Sequence, residues 1–476
     1  MSATQATFSN SRYNFVVPVE GGCLLYSSFS GAVIQLGGAD AALAGNLLAS
    51  RPRELDLEVF PDSLLADLVA GSFIVPSGFD ELDAVRDHFW QARRETALAL
   101  TLTTTLDCNL GCYYCYEDRS EARLEAASAA DVVTWTRRRL ITSGKKTLHV
   151  DWYGGEPLLN QAFIETASVL LQQLCVELEV AFSASIISNG TCWPEDVGAF
   201  VQRHKIRQAQ ISFDGMRRNH DQRRRFRDKN QPDSSFDLAV SLVDQLLDFV
   251  RVDVRINIDR KNQADVIPFV EFAQSRGWFQ RKFPAVIQPA RLSAYSDASA
   301  FMRKSELTLS EYDELRAAVR ERARGYFSVE ESEAPEGFPV PRSSVCAALA
   351  NDSVVVGADD KFYRCGLQVS EPHRAVGMLR PGHANLFPIL GQDAGQQSQR
   401  AWWDGFDPTV LPSCSRCSFL PICWGGCPKK HLEGDQHALQ EQGAYWRRNL
   451  ARLVADGVGR KLDRPLELTE SDQFRD

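Results

Sequence analysis

From about residue 97 to 295 the sequence alternates six short β-prone runs with longer stretches of helical period. The strand candidates are 98–106, 147–152, 180–188, 208–213, 252–258 and 285–288. The helix candidates are 126–143, 161–177, 194–204, 236–249 and 264–276. Such alternation gives parallel strands joined by crossover helices. Parallel α/β folds place their chemistry at the C-terminal ends of the strands.

Directly after the first strand runs Asp107-Cys-Asn-Leu-Gly-Cys-Tyr-Tyr-Cys-Tyr116, with Cys108, Cys112 and Cys115 in a C-x3-C-x2-C spacing. Three thiolates on a short loop hold three irons of a [4Fe–4S] cube and leave the fourth open. A cluster that only carries electrons normally has four cysteines. A zinc knuckle is the competing reading. Zinc prefers four ligands and paired C-x2-C units, so the x3 gap and the missing fourth ligand fit it poorly.

Other segments fall at later strand ends. Tyr153-Gly-Gly-Glu-Pro-Leu158 follows the second strand, and Ser188-Asn-Gly190 ends the third. Ser212-Phe-Asp-Gly215 ends the fourth, His220-Asp221 precedes Arg224, and Asn257 ends the fifth. Taken singly, a polar strand-end residue is more often a turn former. Taken in order with the cysteines and with Tyr114, the set resembles the radical SAM enzymes. That resemblance implies a partial (β/α)6, TIM-like barrel. It implies a cluster whose open iron chelates S-adenosylmethionine (SAM), and a 5′-deoxyadenosyl radical that abstracts hydrogen from substrate. It further implies SAM contacts. Gly154 and Gly155 would let backbone approach the ligand. Glu156 would accept from the ammonium. Ser188 and Asn189 would face the ribose, and Asp214 a ribose hydroxyl or the substrate. Arg224 would pair with the carboxylate through its planar fork, and Asn257 would also touch SAM. No catalytic base can be named from the sequence.

Six more cysteines lie in the C-terminal part. Cys414, Cys417, Cys423 and Cys427 form C-x2-C-x5-C-x3-C, with Cys346 and Cys365 upstream. The set resembles the SPASM extension of peptide-acting radical SAM enzymes, which holds auxiliary [4Fe–4S] clusters. By that pattern Cys346, Cys365 and Cys427 serve one auxiliary cluster, and Cys414, Cys417 and Cys423 the second. The sequence departs from the pattern. No cysteine occurs between 428 and 476 or just upstream of Cys346, and Asp360 replaces a usual glycine. His431, Asp435, His437 and Glu441 are candidate fourth ligands for the second cluster. Alternatively, an open iron would take a substrate group. Zinc is again the competing metal. Gly366 follows Cys365, where sulfatase-maturing relatives carry a basic aspartate, which weakens a formylglycine-forming reading.

At 476 residues the chain suggests about two to four domains. The expected segments are 1–95, 96–299 (barrel), 300–342 (polar linker with the acidic patch 330–336), 343–440 (SPASM) and 441–476 (helix and tail). In the first, strands at 13–17, 23–27, 33–36 and 72–75 combine with helices at 39–49, 61–70 and 80–94. This resembles a winged-helix leader-recognition element, whose edge strand would take a peptide as an added strand. A purely structural extension is the alternative. No apolar run reaches membrane-span length, and the N-terminus lacks a secretory pattern; a cytoplasmic location is expected. The net charge of −9 argues against nucleic acid as the main partner. Arg223-Arg-Arg-Phe-Arg227, with Arg217 and Arg218 just before it, is the local exception, and most of these arginines are expected to be solvated. In such a compartment the 12 cysteines should not form disulfides; Cys23, Cys175 and Cys192 read as small packing residues.

The expectation is therefore a radical SAM/SPASM maturase that crosslinks a precursor peptide bearing a leader. It would be reduced by an external donor such as flavodoxin or ferredoxin. A sulfatase-maturing oxidase and a SPASM enzyme acting on a small molecule are the alternatives.

Overall fold

The computed structural model describes residues 7–48, 52–231, 234–295, 297–323, 337–379, 394–464 and 466–468. The first six residues, Ala49 and the acidic patch 330–336 lie outside them. The chain divides into two units: Met1–Glu95 with Val329–Cys346 and Gly405–Asp476, and Thr96–Ser328 with Ala347–Asp404.

In the first unit, β1 (Phe8–Asn10) pairs antiparallel with β5 (Glu54–Leu55) and β6 (Ile74–Pro76). An antiparallel meander joins β2 (Asn14–Val19), β3 (Gly22–Ser27) and β4 (Val33–Gly37). Side chains on β3 alternate between faces, as strand geometry dictates. Leu24 and Tyr26 pack with Phe419, Leu450 and Val454, part of whose cluster comes from the helix Gln436–Gly457. Cys23 and Leu25 face the other way, onto Leu64, Leu68 and Phe73. Helix α1 (Gly38–Leu47) follows β4, and α2 (Asp62–Ala70) supplies Leu64 and Leu68. Helix α3 (Glu81–Arg94) starts on Asp80, whose carboxylate accepts from the Asp83 N–H at 3.0 Å.

The second unit holds a nine-stranded sheet in the order β12-β11-β10-β9-β8-β7-β13-β14-β15. Six parallel strands follow one another in sequence: β7 (Leu98–Thr105), β8 (Thr147–Gly154), β9 (Ala181–Ser188), β10 (Ile206–Phe213), β11 (Arg251–Ile258) and β12 (Val286–Arg291). Helices spanning Ala126–Ser143, Gln161–Glu177, Val197–Arg203, Ser235–Leu246 and Val266–Ser275 supply crossovers. This is an open α/β sheet, in keeping with the expected barrel fragment. On the far side of β7 lies β13 (Ser353–Val356), parallel to it, followed by antiparallel β14 (Lys361–Tyr363) and β15 (Gly377–Met378).

Side chains on the parallel strands alternate. Leu100, Leu102, Val150, Trp152, Ile186, Ile211 and Val254 are fully buried. Between them comes a polar row in which Asp151 accepts from Thr101 and Ser185, and Asp253 from Gln208 and Gln288. A parallel sheet buried on both faces reads as continuous apolar runs. The alternation here leaves one face polar, and that face carries the site. No described helix is long and apolar enough to cross a membrane. Cys23 and Cys175 are buried and Cys192 half-buried.

Candidate functional site

Because the strands are parallel, their C-terminal ends share one side of the sheet. The cysteine loop leaves β7 there. Its first turn is fixed by Asp107, whose carboxylate accepts from the Cys108 N–H and from Arg227 Nη1, each at 2.8 Å. The Gly111 N–H donates to the Arg225 carbonyl at 2.8 Å, and the Arg227 N–H to the Asn109 carbonyl at 2.9 Å. The arginine run is thus a strap across the cysteine loop. Arg217, Arg218, Arg225 and Arg227 are exposed, as expected of most of this run, while Arg223 and Arg224 are buried. The reason is two buried acids.

Asp214, fully buried at the end of β10, accepts from Tyr114 Oη at 2.6 Å and from Arg223 Nε at 2.7 Å. Arg223 also reaches both oxygens of Asp259 at 3.1 Å and Tyr113 Oη at 2.8 Å. Arg224 donates to Tyr114 Oη at 2.9 Å and lies 3.6 Å from Asp214. The aromatic residue before the third cysteine is therefore anchored to the fourth strand's end, and Asn257 Nδ2 stands 3.5 Å from the same hydroxyl.

The Gly-Gly pair serves the loop's backbone directly. Gly154 has φ +134°, and a Cβ there would lie 2.2 Å from the Thr105 carbonyl oxygen. A Cβ on Gly155 would lie 2.4 Å from that of Asp107. Gly154→Ala should therefore lower the melting temperature clearly, from backbone strain of order 1–3 kcal/mol plus the clash. Gly45→Ala, in open space inside α1, should instead stabilise by about 0.5–1 kcal/mol. Equal melting shifts for the two would contradict the packing described here.

Glu156 is fully buried. Its carboxylate accepts from the Asn189 N–H at 2.7 Å and from Ser188 Oγ at 3.0 Å. It thereby holds the turn after β9, from which Asn189 Nδ2 points to Cys108 Sγ at 3.7 Å. Burial pushes the Glu156 carboxyl up to about 7 against those hydrogen bonds. The folded state thus holds this proton more tightly than the unfolded chain. The stability it contributes is complete below about pH 4.5 and lost as pH rises through about 7. Glu156→Gln should flatten the fall in melting temperature across that window; unchanged slopes in the cluster-free protein would count against it.

These groups enclose a cavity of about 370 Å³. Cys108, Cys112 and Cys115 line it, with Gly154, Gly155, Ser188, Asn189, Arg224 and Asn257. Glu156 and Asp214 stand behind the wall, bonded to residues that form it. Sequence reasoning did not find Tyr116, Glu117, Tyr153 and Arg255, which also line the cavity. The Tyr116 and Tyr153 hydroxyls touch, and burial pushes the Glu117 carboxyl up to about 7. Glu117 lies two residues past Cys115 and Tyr153 just before the Gly-Gly pair, so adjacency to the motifs was the available signal.

Burial, and next the Glu156 charge, pushes the Cys108 thiol up to about 12; burial raises Cys112 and lifts Cys115 to about 11. Bound cations would offset that by stabilising thiolates. Among the described residues no three Cys, His, Asp or Glu side chains converge on a single ion. A cube asks for something different, since each thiolate takes its own iron corner. Arg224 Nε and Arg223 Nη2 are buried donors with no hydrogen-bond partner. An unfilled donor on a cavity-lining guanidinium suits a ligand carboxylate.

The other cysteines divide between the units. Cys346, Cys414, Cys417, Cys423 and Cys427 belong to the first, and Cys365 to the second. Burial, then the charges of Cys417 and Cys414, pushes Cys423 up to about 12, so these three are near neighbours.

Residues 102–273 match the Radical SAM superfamily. The radical SAM cyclopropyl synthase TigE of Paramaledivibacter caminithermalis is 24% identical over 169 residues, covering 31% of this chain and 34% of that protein. That match spans little more than a third of the synthase's own length. The serine-type anaerobic sulfatase-maturating enzyme of Klebsiella aerogenes is 23% identical over 339 residues, 67% of this chain and 77% of the enzyme. The solved structure of native anSMEcpe with bound AdoMet and Kp18Cys peptide is similar in fold, with TM-score 0.51 and 17% identity, covering 79% of this chain and 93% of that one.

Proposed function

We propose that this chain, whose residues 102–273 match the Radical SAM superfamily, modifies a ribosomally made precursor peptide and installs a side-chain crosslink of thioether, ether or carbon–carbon type. The carrying observation is the single cavity lined by the three loop cysteines and the ends of neighbouring parallel strands. A [4Fe–4S] cluster with SAM bound would supply a 5′-deoxyadenosyl radical there. The chain's own part is positional. Cys108, Cys112 and Cys115 would hold the cluster. Arg224 would take the SAM carboxylate, with Gly154, Gly155, Ser188, Asn189 and Asn257 along the ligand. Glu156 and Asp214 would hold those residues in place, and the walls would keep water from the radical.

The leader would dock on the first unit. Among described strands β4 pairs only with β3, so its outer edge is available for strand addition. The six remaining motif cysteines would hold one or two auxiliary [4Fe–4S] clusters that collect the substrate's electron, and flavodoxin or ferredoxin would reduce the enzyme. Similarity to a sulfatase-maturating enzyme raises a second reading. Against it stands Gly366, where a Cβ would meet only the Tyr153 ring at 3.8 Å; the position faces a cavity residue without offering a carboxylate.

The test is anaerobic turnover with SAM, dithionite and a short peptide encoded beside the gene, read by mass spectrometry. Loss of two hydrogens with release of 5′-deoxyadenosine supports the proposal. Product with added oxygen, or unchanged peptide mass, rejects it.

A further inference from the structure

The second auxiliary set has three thiols and lacks an obvious fourth ligand. The structure distinguishes among the four candidates. Asp435 is engaged: its carboxylate caps the helix Gln436–Gly457 through the Ala438 N–H at 3.2 Å and pairs with Lys430 at 2.9 Å. His437 is exposed, and Glu441 already has a partner. His431 is placed differently. A Cβ on Gly425 would lie 3.5 Å from Cys414 Sγ and 3.7 Å from His431 Nε2. The glycine, at φ +72°, keeps open a gap between thiol and imidazole that any side chain would fill.

The imidazole is also oriented. His431 Nε2 lies 2.8 Å from the Gly425 carbonyl oxygen. A carbonyl can only accept, so Nε2 carries the proton and Nδ1 keeps the lone pair that a metal would use. Ligating histidines almost always donate their other N–H to a carbonyl or carboxylate in this way. The Phe406 ring packs on the same imidazole, with centroids 5.5 Å apart. Nearby, Trp446 hydrogen-bonds to Cys423, which favours its thiolate.

We infer that His431 takes the fourth corner of an iron–sulfur cluster held by Cys414, Cys417 and Cys423. This rests on the auxiliary-cluster reading above. The site would then be closed by an imidazole, leaving no iron for substrate. Swapping thiolate for imidazole raises the potential in other iron–sulfur centres, so this cluster would be a better electron acceptor than its all-thiolate counterpart.

Holoenzyme reconstituted anaerobically from protein carrying 15N-histidine tests the inference by pulsed hyperfine spectroscopy of the reduced clusters. A strong 15N coupling is expected in the parent protein and should vanish in His431→Ala. His431→Cys should keep the iron content, lose the coupling and titrate at a lower potential. A reduced spectrum without directly bound nitrogen, or coupling that survives in His431→Ala, overturns the assignment of His431. The cluster itself is checked separately. Replacing Cys414, Cys417 and Cys423 together by alanine should remove about four irons per chain. Unchanged iron would defeat the auxiliary-cluster reading and this inference with it.

Discussion

Alanine at any one of Cys108, Cys112 or Cys115 is expected to abolish SAM cleavage, by more than about a hundredfold, which exceeds the loss from mutating a supporting residue behind a metal ligand. Each thiolate would occupy its own iron corner, so no neighbour can compensate. The protein should remain folded. The loop is clamped by Asp107, Arg227 and the backbone bonds to residues 225–227, none of which involves a thiol. Iron per chain and 5′-deoxyadenosine formed under dithionite should fall together while circular dichroism stays constant. A folded single variant that still cleaves SAM at the parent rate would refute the assignment of these cysteines.

The second large effect concerns stability. Asp214→Ala removes the acid between two buried guanidiniums, Arg223 and Arg224. Breaking one side of a buried ion pair costs about 3–5 kcal/mol, because the remaining charge stays desolvated. For a unit of this size the melting temperature should drop on the order of 10 °C. Asp237→Ala is the matched control. It breaks the pair with Arg217 at 2.6 Å, but both side chains are more than half exposed, and such pairs are worth about 0–1 kcal/mol. Should the two variants melt alike, the buried network would not be holding the site together.

The parallel sheet was legible in the sequence because its strands alternate apolar residues with polar ones over short runs separated by helical periods. Helices Ala126–Ser143 and Gln161–Glu177 fall on the expected residues for the same reason. The strands β13 to β15 were not legible. They are two to four residues long, and β13 joins β7 across more than half the chain, beyond any local period. The segment Arg217–Arg223 is helical although its composition reads as a charged loop. The burial of Arg223 at its end follows from Asp214 and Asp259, which come from two different strand ends. The cysteine motif marked the loop that lines the cavity, and the Gly-Gly-Glu-Pro segment its rim. Glu117 and Tyr153 carry no motif of their own; only folding sets them side by side. The role of the glycine pair was legible in part, since a close approach was expected but its nearest target is the loop's own backbone.

The attachment of β13 to β7 also has a bearing on biosynthesis. Without that partner the strand feeding the cysteine loop would be a sheet margin, the part of a fold that frays most readily. The residues that seal it leave the ribosome long after the loop does. At about 5–20 residues per second the delay is on the order of ten seconds to a minute. During that interval the three thiols sit on a half-secured scaffold. Once Ser353–Val356 has zipped into place, the strand that feeds the loop has a neighbour on each side.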